Sequence, residues 1–409
     1  MTRQDGLSQW VATVSTHLPA LSKPQATVLG LWSFGMVMSQ SCGLTSVTVF
    51  LAALLSCPEA TLRQRLREWY RDAEDKKGAQ RQTLDVASCF GPLLTWVLSA
   101  WPPHEKRLAL AMDATSLGQL FTVLAISVVY RGCAIPIAWV VLPGNTPGAW
   151  KTHWLTLFEQ LHGSVPGDWT VLVLADRGLY AAWLYRQITS LGWHPYLRIN
   201  AGGLFRPTTQ HAFRPLSTVV PSIGSAWAGR VICFKSRPLA CTLLADWAAS
   251  YTDPWLILTD LAPEQADVCW YSLRAWIECG FKDTKRGGWQ WQQTKIVEPA
   301  RAARLWLAIA VATLWVLSVG GEAEDNLPVS TLADLPATHI ARRRTTQRSQ
   351  PRLLSCFRRG LLCILAAAIR GETLPQGRFD PEPWPTSAVL DASGLFTWPV
   401  QACIEKTYP

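Results

Sequence analysis

Between Arg107 and Pro143 the apolar residues come in three short runs, RLALAMDAT, FTVLAISVVY and AIPIAWVVLP, each rich in Val, Ile and Leu. Runs of this length and composition predict three consecutive β-strands, the last two joined at Arg131-Gly132. The period then lengthens. PGAWKTHWLTLFEQLHG reads as a helix, WTVLVLAD as a strand, LYAAWLYRQITSLG as a helix and HPYLRIN as a strand. The predicted order β-β-β-α-β-α-β describes an open α/β sheet begun by a meander, in which strand ends collect functional side chains. Asp113 and Asp176 fall at such ends.

The flanks have other patterns. The first hundred residues read as helical, and SVTVFLAALL and EATLRQRLREWYRD are joined by Ser56-Cys57-Pro58. The second of these carries Arg63, Arg65, Arg67 and Arg71, so the pair is either a DNA-binding helix-turn-helix or an ordinary helical hairpin with a solvated basic face. EDKKGAQRQT reads as a linker, and Trp101-Pro102-Pro103 marks a boundary. From residue 201 to about 262 the chain turns irregular and then β-rich, as an inserted element. RAARLWLAIAVATLWVLSVGG has an apolar run short for a membrane span and long enough for a buried helix covering one sheet face. Residues 24 to 58 carry no charge, yet polar residues from Ser39 to Ser46 interrupt them, which favours two buried helices over one span. The expected organisation is a helical unit over 1–100, an α/β unit over 105–317 and a C-terminal region over 318–409.

Charge narrows the partners. Lys and Arg total 38 against 29 Asp and Glu, a net +9, which suits a polyanion because bound phosphates release condensed counterions. An anionic membrane surface would be served equally well. Seven arginines between Arg342 and Arg359 form either a phosphate-binding arm or a solvated charge run. The 11 cysteines are scattered without a C-x-x-C pair or zinc-finger spacing, which fits a reducing cytosol. The N-terminus lacks the basic start and apolar run of a signal peptide.

One stretch stands out: YSLRAWIECGFKDTK, Tyr271 to Lys285. On a helix advancing about 100° per residue, Tyr271, Arg274, Glu278 and Lys285 share one narrow stripe, with Leu273, Trp276 and Ile277 left for the core. The stripe is either a salt-bridged surface or a functional face. In the second case Glu278 completes a metal-binding set with Asp113 and Asp176, while Tyr271, Arg274 and Lys285 hold phosphates. Three gathered carboxylates need a cation, since like charges about 4 Å apart repel by roughly 4 kcal/mol at an effective dielectric near 20. Hard oxygen ligands suit Mg²⁺ or Mn²⁺, and a pair of ions can serve an in-line phosphoryl displacement.

Tyr271, Arg274, Glu278 and Lys285 match Y-x2-R-x3-E-x6-K at every position, and on these residues the chain resembles bacterial insertion-sequence transposases with a DDE active site. The likeness extends over residues 105 to 317, through Asp113 after the first strand, Asp176 in ADRGLY, and the β-rich insertion before Glu278. It implies a ribonuclease H-like core with Asp113, Asp176 and Glu278 as catalytic ligands of two Mg²⁺ (or Mn²⁺) ions, and Tyr271, Arg274 and Lys285 on transposon-end DNA. It also implies a DNA endonuclease and strand transferase of the bacterial cytoplasm and nucleoid, working as a homodimer on paired double-stranded ends. The N-terminal hundred residues and the arginine-rich tail lie where such enzymes recognise ends and contact subunits. An aromatic residue stacks on a flipped base in related enzymes, and Trp227, Trp247, Trp255, Trp289 and Trp291 are candidates among which the sequence does not choose. Two rival readings are an inactive, transposase-derived DNA-binding protein and a membrane protein built on residues 24–58 and 304–321.

Overall fold

The computed structural model describes residues 3–77, 81–144, 148, 150–249, 251–325 and 354–386. Its N-terminal part is helical: α1 (Arg3–His17), α2 (Lys23–Ser39), α3 (Leu44–Leu55), α4 (Glu59–Trp69) and α5 (Phe90–Ser99). Pro24 opens α2, where its missing N–H and preset φ suit a first turn, and Gln40 closes it in the left-handed region. α2 and α3 are bent by 97° at the polar break, so residues 24–58 make two helices. α3 and α4 form the expected pair, with Leu62, Leu66 and Trp69 buried and Arg63, Arg65 and Arg67 exposed.

The three apolar runs form an antiparallel meander, β1 (Arg107–Leu117), β2 (Phe121–Tyr130) and β3 (Cys133–Pro143). The β2–β3 connection has Arg131 at φ 43° and Gly132 at φ 78°, and two positive φ angles give a two-residue turn the twist that matches its strands. A non-glycine residue there is strained, and Arg131 is held by Asp380 Oδ2 at 2.7 Å, with Asp325 at 3.7 Å and Glu382 at 3.9 Å. After α6 (Lys151–Leu161), β4 (Thr170–Ala175) pairs parallel to β1, and after α7 (Ala182–Ser190), β5 (His194–Arg198) pairs parallel to β4. The predicted element order is the observed one.

The β-rich stretch does not stand apart. β6 (Leu204–Pro207), β7 (Arg214–Pro215), β8 (Ala226–Cys233), β9 (Leu239–Asp246) and β10 (Trp255–Thr259) continue the same sheet through an antiparallel β10–β5 pairing. The ten strands run β3-β2-β1-β4-β5-β10-β9-β8-β6-β7. Leu108 to Met112 are all buried, as expected where helices cover both faces of a strand, and burial relaxes from Asp113 onward.

The helix α8 (Trp276–Thr284) lies over the meander, and Gly280 sets its approach: a Cβ there would stand 2.9 Å from the Cβ of Ala134 on β3. The helix α9 (Pro299–Glu322) packs on β3, on α2 and on the last helix, α10 (Cys356–Arg370). At 24 residues α9 is longer than the apolar run suggested and is long and apolar enough to cross a membrane, but its most apolar window is 94% buried within the fold. It also ties in the N-terminal helices. Trp315 of α9 stacks on Trp10 of α1 at 4.3 Å, and Arg304 pairs with Asp72 at 2.6 Å. One hydrophobic cluster runs from α1 through the sheet to α10.

Candidate active site

The end of the β1–β4 ladder and one helix build the site: Asp176 follows β4 directly, whereas Asp113, expected at a strand end, lies inside β1, which runs on to Leu117 against β2. In the parallel β1–β4 ladder Met112 is registered with Ala175, so the next residue on each strand, Asp113 and Asp176, emerges side by side at the C-terminal edge. Each turns an oxygen back onto the chain: Asp113 Oδ1 accepts from Ala114 N at 2.8 Å, and Asp176 Oδ1 from Arg177 N at 2.7 Å. The remaining oxygen of each faces Arg274, just before α8.

The Tyr271–Lys285 segment is not one helix. Val268–Ala275 is a three-ten helix, begun by the Asp267 carboxylate accepting from Cys269 N, and the α-helix follows from Trp276 to Thr284, with Lys285 as its cap. In a three-ten helix side chains three apart eclipse, so Tyr271 and Arg274 stand one above the other. Both reach the aspartates. The expected core side holds, with Leu273, Trp276 and Ile277 all buried.

Arg274 is the centre of the arrangement. Its Nη2 donates to Asp113 Oδ2, lies 3.5 Å from Glu278 Oε1 and 4.0 Å from Asp176 Oδ2. Tyr271 donates its hydroxyl to Asp176 Oδ1 at 3.4 Å. Side-chain exposure rises from 16% at Asp113 to 24% at Glu278 and 37% at Asp176, so the cluster opens to solvent on the Asp176 side. A polyanion would approach there. Burial pushes the Asp113 carboxyl up to about 7; Arg274 opposes this and the neighbouring Glu278 adds to it. The carboxylates, Asp113 foremost, hold Arg274 above its ordinary value against the effect of burial.

Lys285 sits further along the same edge. Its ammonium donates to Thr115 Oγ1 and to Ser116 O, each at 2.8 Å, tying the end of α8 to β1 two residues past Asp113. Burial lowers its pKa, and Glu278 counters that.

The expected cage for a pair of ions is corrected in one respect. The three carboxylates do converge, but on the Arg274 guanidinium. Among the described residues no group of three or more His, Cys, Asp or Glu side chains could hold a metal ion as arranged. The chemistry of the set still fits a divalent cation. All three donors are hard oxygens, and a single guanidinium carries less charge than the three carboxylates together.

Sequence reasoning missed Arg198, at the C-terminal end of β5, whose charge joins that of Arg274 in opposing the strong upward push that burial gives the Tyr271 hydroxyl. Its only signal was a basic residue at a strand end, in YLRIN. Of the five tryptophans singled out, Trp255, Trp289 and Trp291 are core, while Trp227 and Trp247 are half-buried in the sheet extension. Arg342 to Arg352 of the basic tail lie outside the described residues. Arg358 bonds Gln40 at 3.0 Å and Arg359 pairs with Glu324 at 3.4 Å.

Two carboxylates on neighbouring parallel strands, where their ladder ends, and a third on a crossing helix define an acidic site of a kind suited to metal-assisted phosphoryl chemistry. A family profile described as the transposase DDE domain matches residues 110–315, and the chain belongs to that family. It is thus a transposase acting on DNA, of a family that typically uses divalent metal ions. No curated protein matches the chain.

Proposed function

We propose that the protein binds the terminal inverted repeats of its own element, cleaves at the ends and joins the freed 3′-hydroxyls to target DNA. The observation that carries this reading is the convergence of Asp113, Asp176 and Glu278 within 4.0 Å of one nitrogen, at the open C-terminal edge of β1 and β4. These three would be the ligands of two Mg²⁺ (or Mn²⁺) ions. When bound, such ions stabilise the attacking and leaving oxygens of an in-line displacement, with water and then the 3′-hydroxyl as nucleophile. The strand order β3-β2-β1-β4-β5 supports a ribonuclease H-like core, and the match at Tyr271, Arg274, Glu278 and Lys285 supports the Y-x2-R-x3-E-x6-K group.

The chain's own residues do the positioning. Tyr271 orients Asp176 by hydrogen bond, Arg274 and Lys285 offer cations to the backbone phosphates, and Glu278 is presented by a helix seated on the meander through Gly280. The exposed arginines of α4 extend the basic surface, and residues 1–100 serve end recognition. Action on paired ends would use a homodimer, in the bacterial cytoplasm at the nucleoid.

The test is incubation of the protein with Mg²⁺ and duplex DNA carrying the inverted repeats that flank its gene. Cleavage leaving 3′-hydroxyls at the repeat ends, followed by joining to a second duplex, is the expected result. Binding of the repeats without any metal-dependent cleavage would instead make the protein an inactive, transposase-derived DNA-binding protein.

A further inference from the structure

We infer that Arg274 is an exchangeable internal cation: in the free protein it holds Asp113, Asp176 and Glu278 together, and a DNA backbone phosphate draws it away so that metal can enter. The inference rests on the functional reading above and adds an order to it, DNA first and metal second.

The pairing geometry carries it. A guanidinium in its strongest pairing with a carboxylate uses two nitrogens in a fork, as Arg107 does here on Glu105 through Nε at 2.9 Å and Nη2 at 2.8 Å. Arg274 instead spends one nitrogen, Nη2, on three carboxylates, and its Nε is buried without a hydrogen-bond partner among the described residues. That unpartnered Nε, beside Nη2, is a donor available for the bidentate phosphate contact that arginine makes best. Charge points the same way. One cation among three carboxylates neutralises only part of them, so a divalent ion is the stronger partner. A guanidinium already among those carboxylates repels that ion. The two compete for Asp113 Oδ2, so an ion binds best where the guanidinium has left.

The chain provides for the movement. Arg274 lies in a three-ten run of eight residues, longer than such runs usually are, directly before an α-helix. Rewinding there would turn Arg274 toward the opening while Glu278, on the α-helix, stays in place. Arg274 is therefore a positioning residue that couples capture of the backbone to assembly of the metal site.

The test is a Mn²⁺ titration of the full-length protein, following free Mn²⁺ by electron paramagnetic resonance, for wild type, Arg274→Gln and Arg274→Lys. Without DNA, Arg274→Gln should bind Mn²⁺ at least about tenfold more tightly than wild type, and Arg274→Lys should stay near wild type. A short double-stranded oligonucleotide, corrected for the Mn²⁺ it binds alone, should tighten Mn²⁺ binding to wild type and not to Arg274→Gln. Equal Mn²⁺ affinity in wild type and Arg274→Gln would overturn the exchange and leave the metal site standing. Absence of Mn²⁺ binding in every protein, with and without oligonucleotide, would remove the metal site itself. Should Arg274→Gln be unfolded in metal-free buffer, thermal melting decides: folding restored by Mn²⁺ supports the exchange, and failure to restore it makes Arg274 a structural partner and refutes the inference.

Discussion

Asp113 within β1 and Asp176 just past β4 stand side by side where the ladder between these parallel strands ends, each one residue beyond the registered pair Met112 and Ala175. Their proximity follows from backbone pairing, so neither side chain needs the other for its placement. Replacing one should change chemistry and spare the fold.

Asp113→Asn should therefore lower Mg²⁺-dependent nicking of end-bearing DNA by at least about a hundredfold, because a ligand charge is lost. Binding of the same DNA in gel-shift titrations should persist, since the phosphate-facing cations are untouched. Undiminished nicking would reject Asp113 as a ligand.

Lys285 joins α8 to β1 through Thr115 and Ser116 while remaining half-buried at the open edge. Lys285→Ala should weaken DNA binding and make the plot of log affinity against log salt shallower by about one, the signature of one lost phosphate contact. An unchanged slope with a lowered Tm would assign Lys285 to the helix end alone.

Gly280 has no room for a side chain against Ala134. Gly280→Val should destabilise the protein by about 1 to 3 kcal/mol, as overpacking at a tight contact does, and lift Glu278 off the aspartates. Urea denaturation and nicking assays should report both effects together. A stable variant with full activity would mean that α8 is not seated through this contact.

Asp246, at the end of β9, has its carboxyl pushed up to about 6 by burial, with Asp267 adding to it. The folded state thus holds this proton more tightly than the unfolded chain does. Stability from this group is present at low pH and declines as pH rises from about 4 to about 6. Asp246→Asn should remove that slope and stabilise the protein at pH 8 by about 1 to 3 kcal/mol, measured by chemical denaturation at several pH values. A variant as pH-dependent as wild type would contradict the assignment.

Much of the site was legible in one dimension. Asp176 ended a recognisable strand, Asp113 ended an apolar run whose strand in fact goes on to Leu117, and Tyr271, Arg274, Glu278 and Lys285 stood at a telling spacing. Arg198 and the anchoring role of Lys285 were not legible, because both depend on β5 and β1 lying beside residues far away in the chain. The single helix expected over Tyr271 to Lys285 failed for a local reason: periodicity near 100° per residue does not distinguish eight residues of three-ten winding from two turns of α-helix.

Hydrophobic period and turn residues, acting within a few positions of themselves, determined the strands of the meander, the alternating helices and the buried apolar helix that became α9. Tertiary structure alone decided that the β-rich stretch extends the same sheet from β5 to β7, and that α9 also packs on α2 and α10. It also put one guanidinium nitrogen in the midst of three carboxylates. Those outcomes come from pairing and burial between distant segments, whose free energies depend on the whole folded chain and leave no local mark on the order of residues.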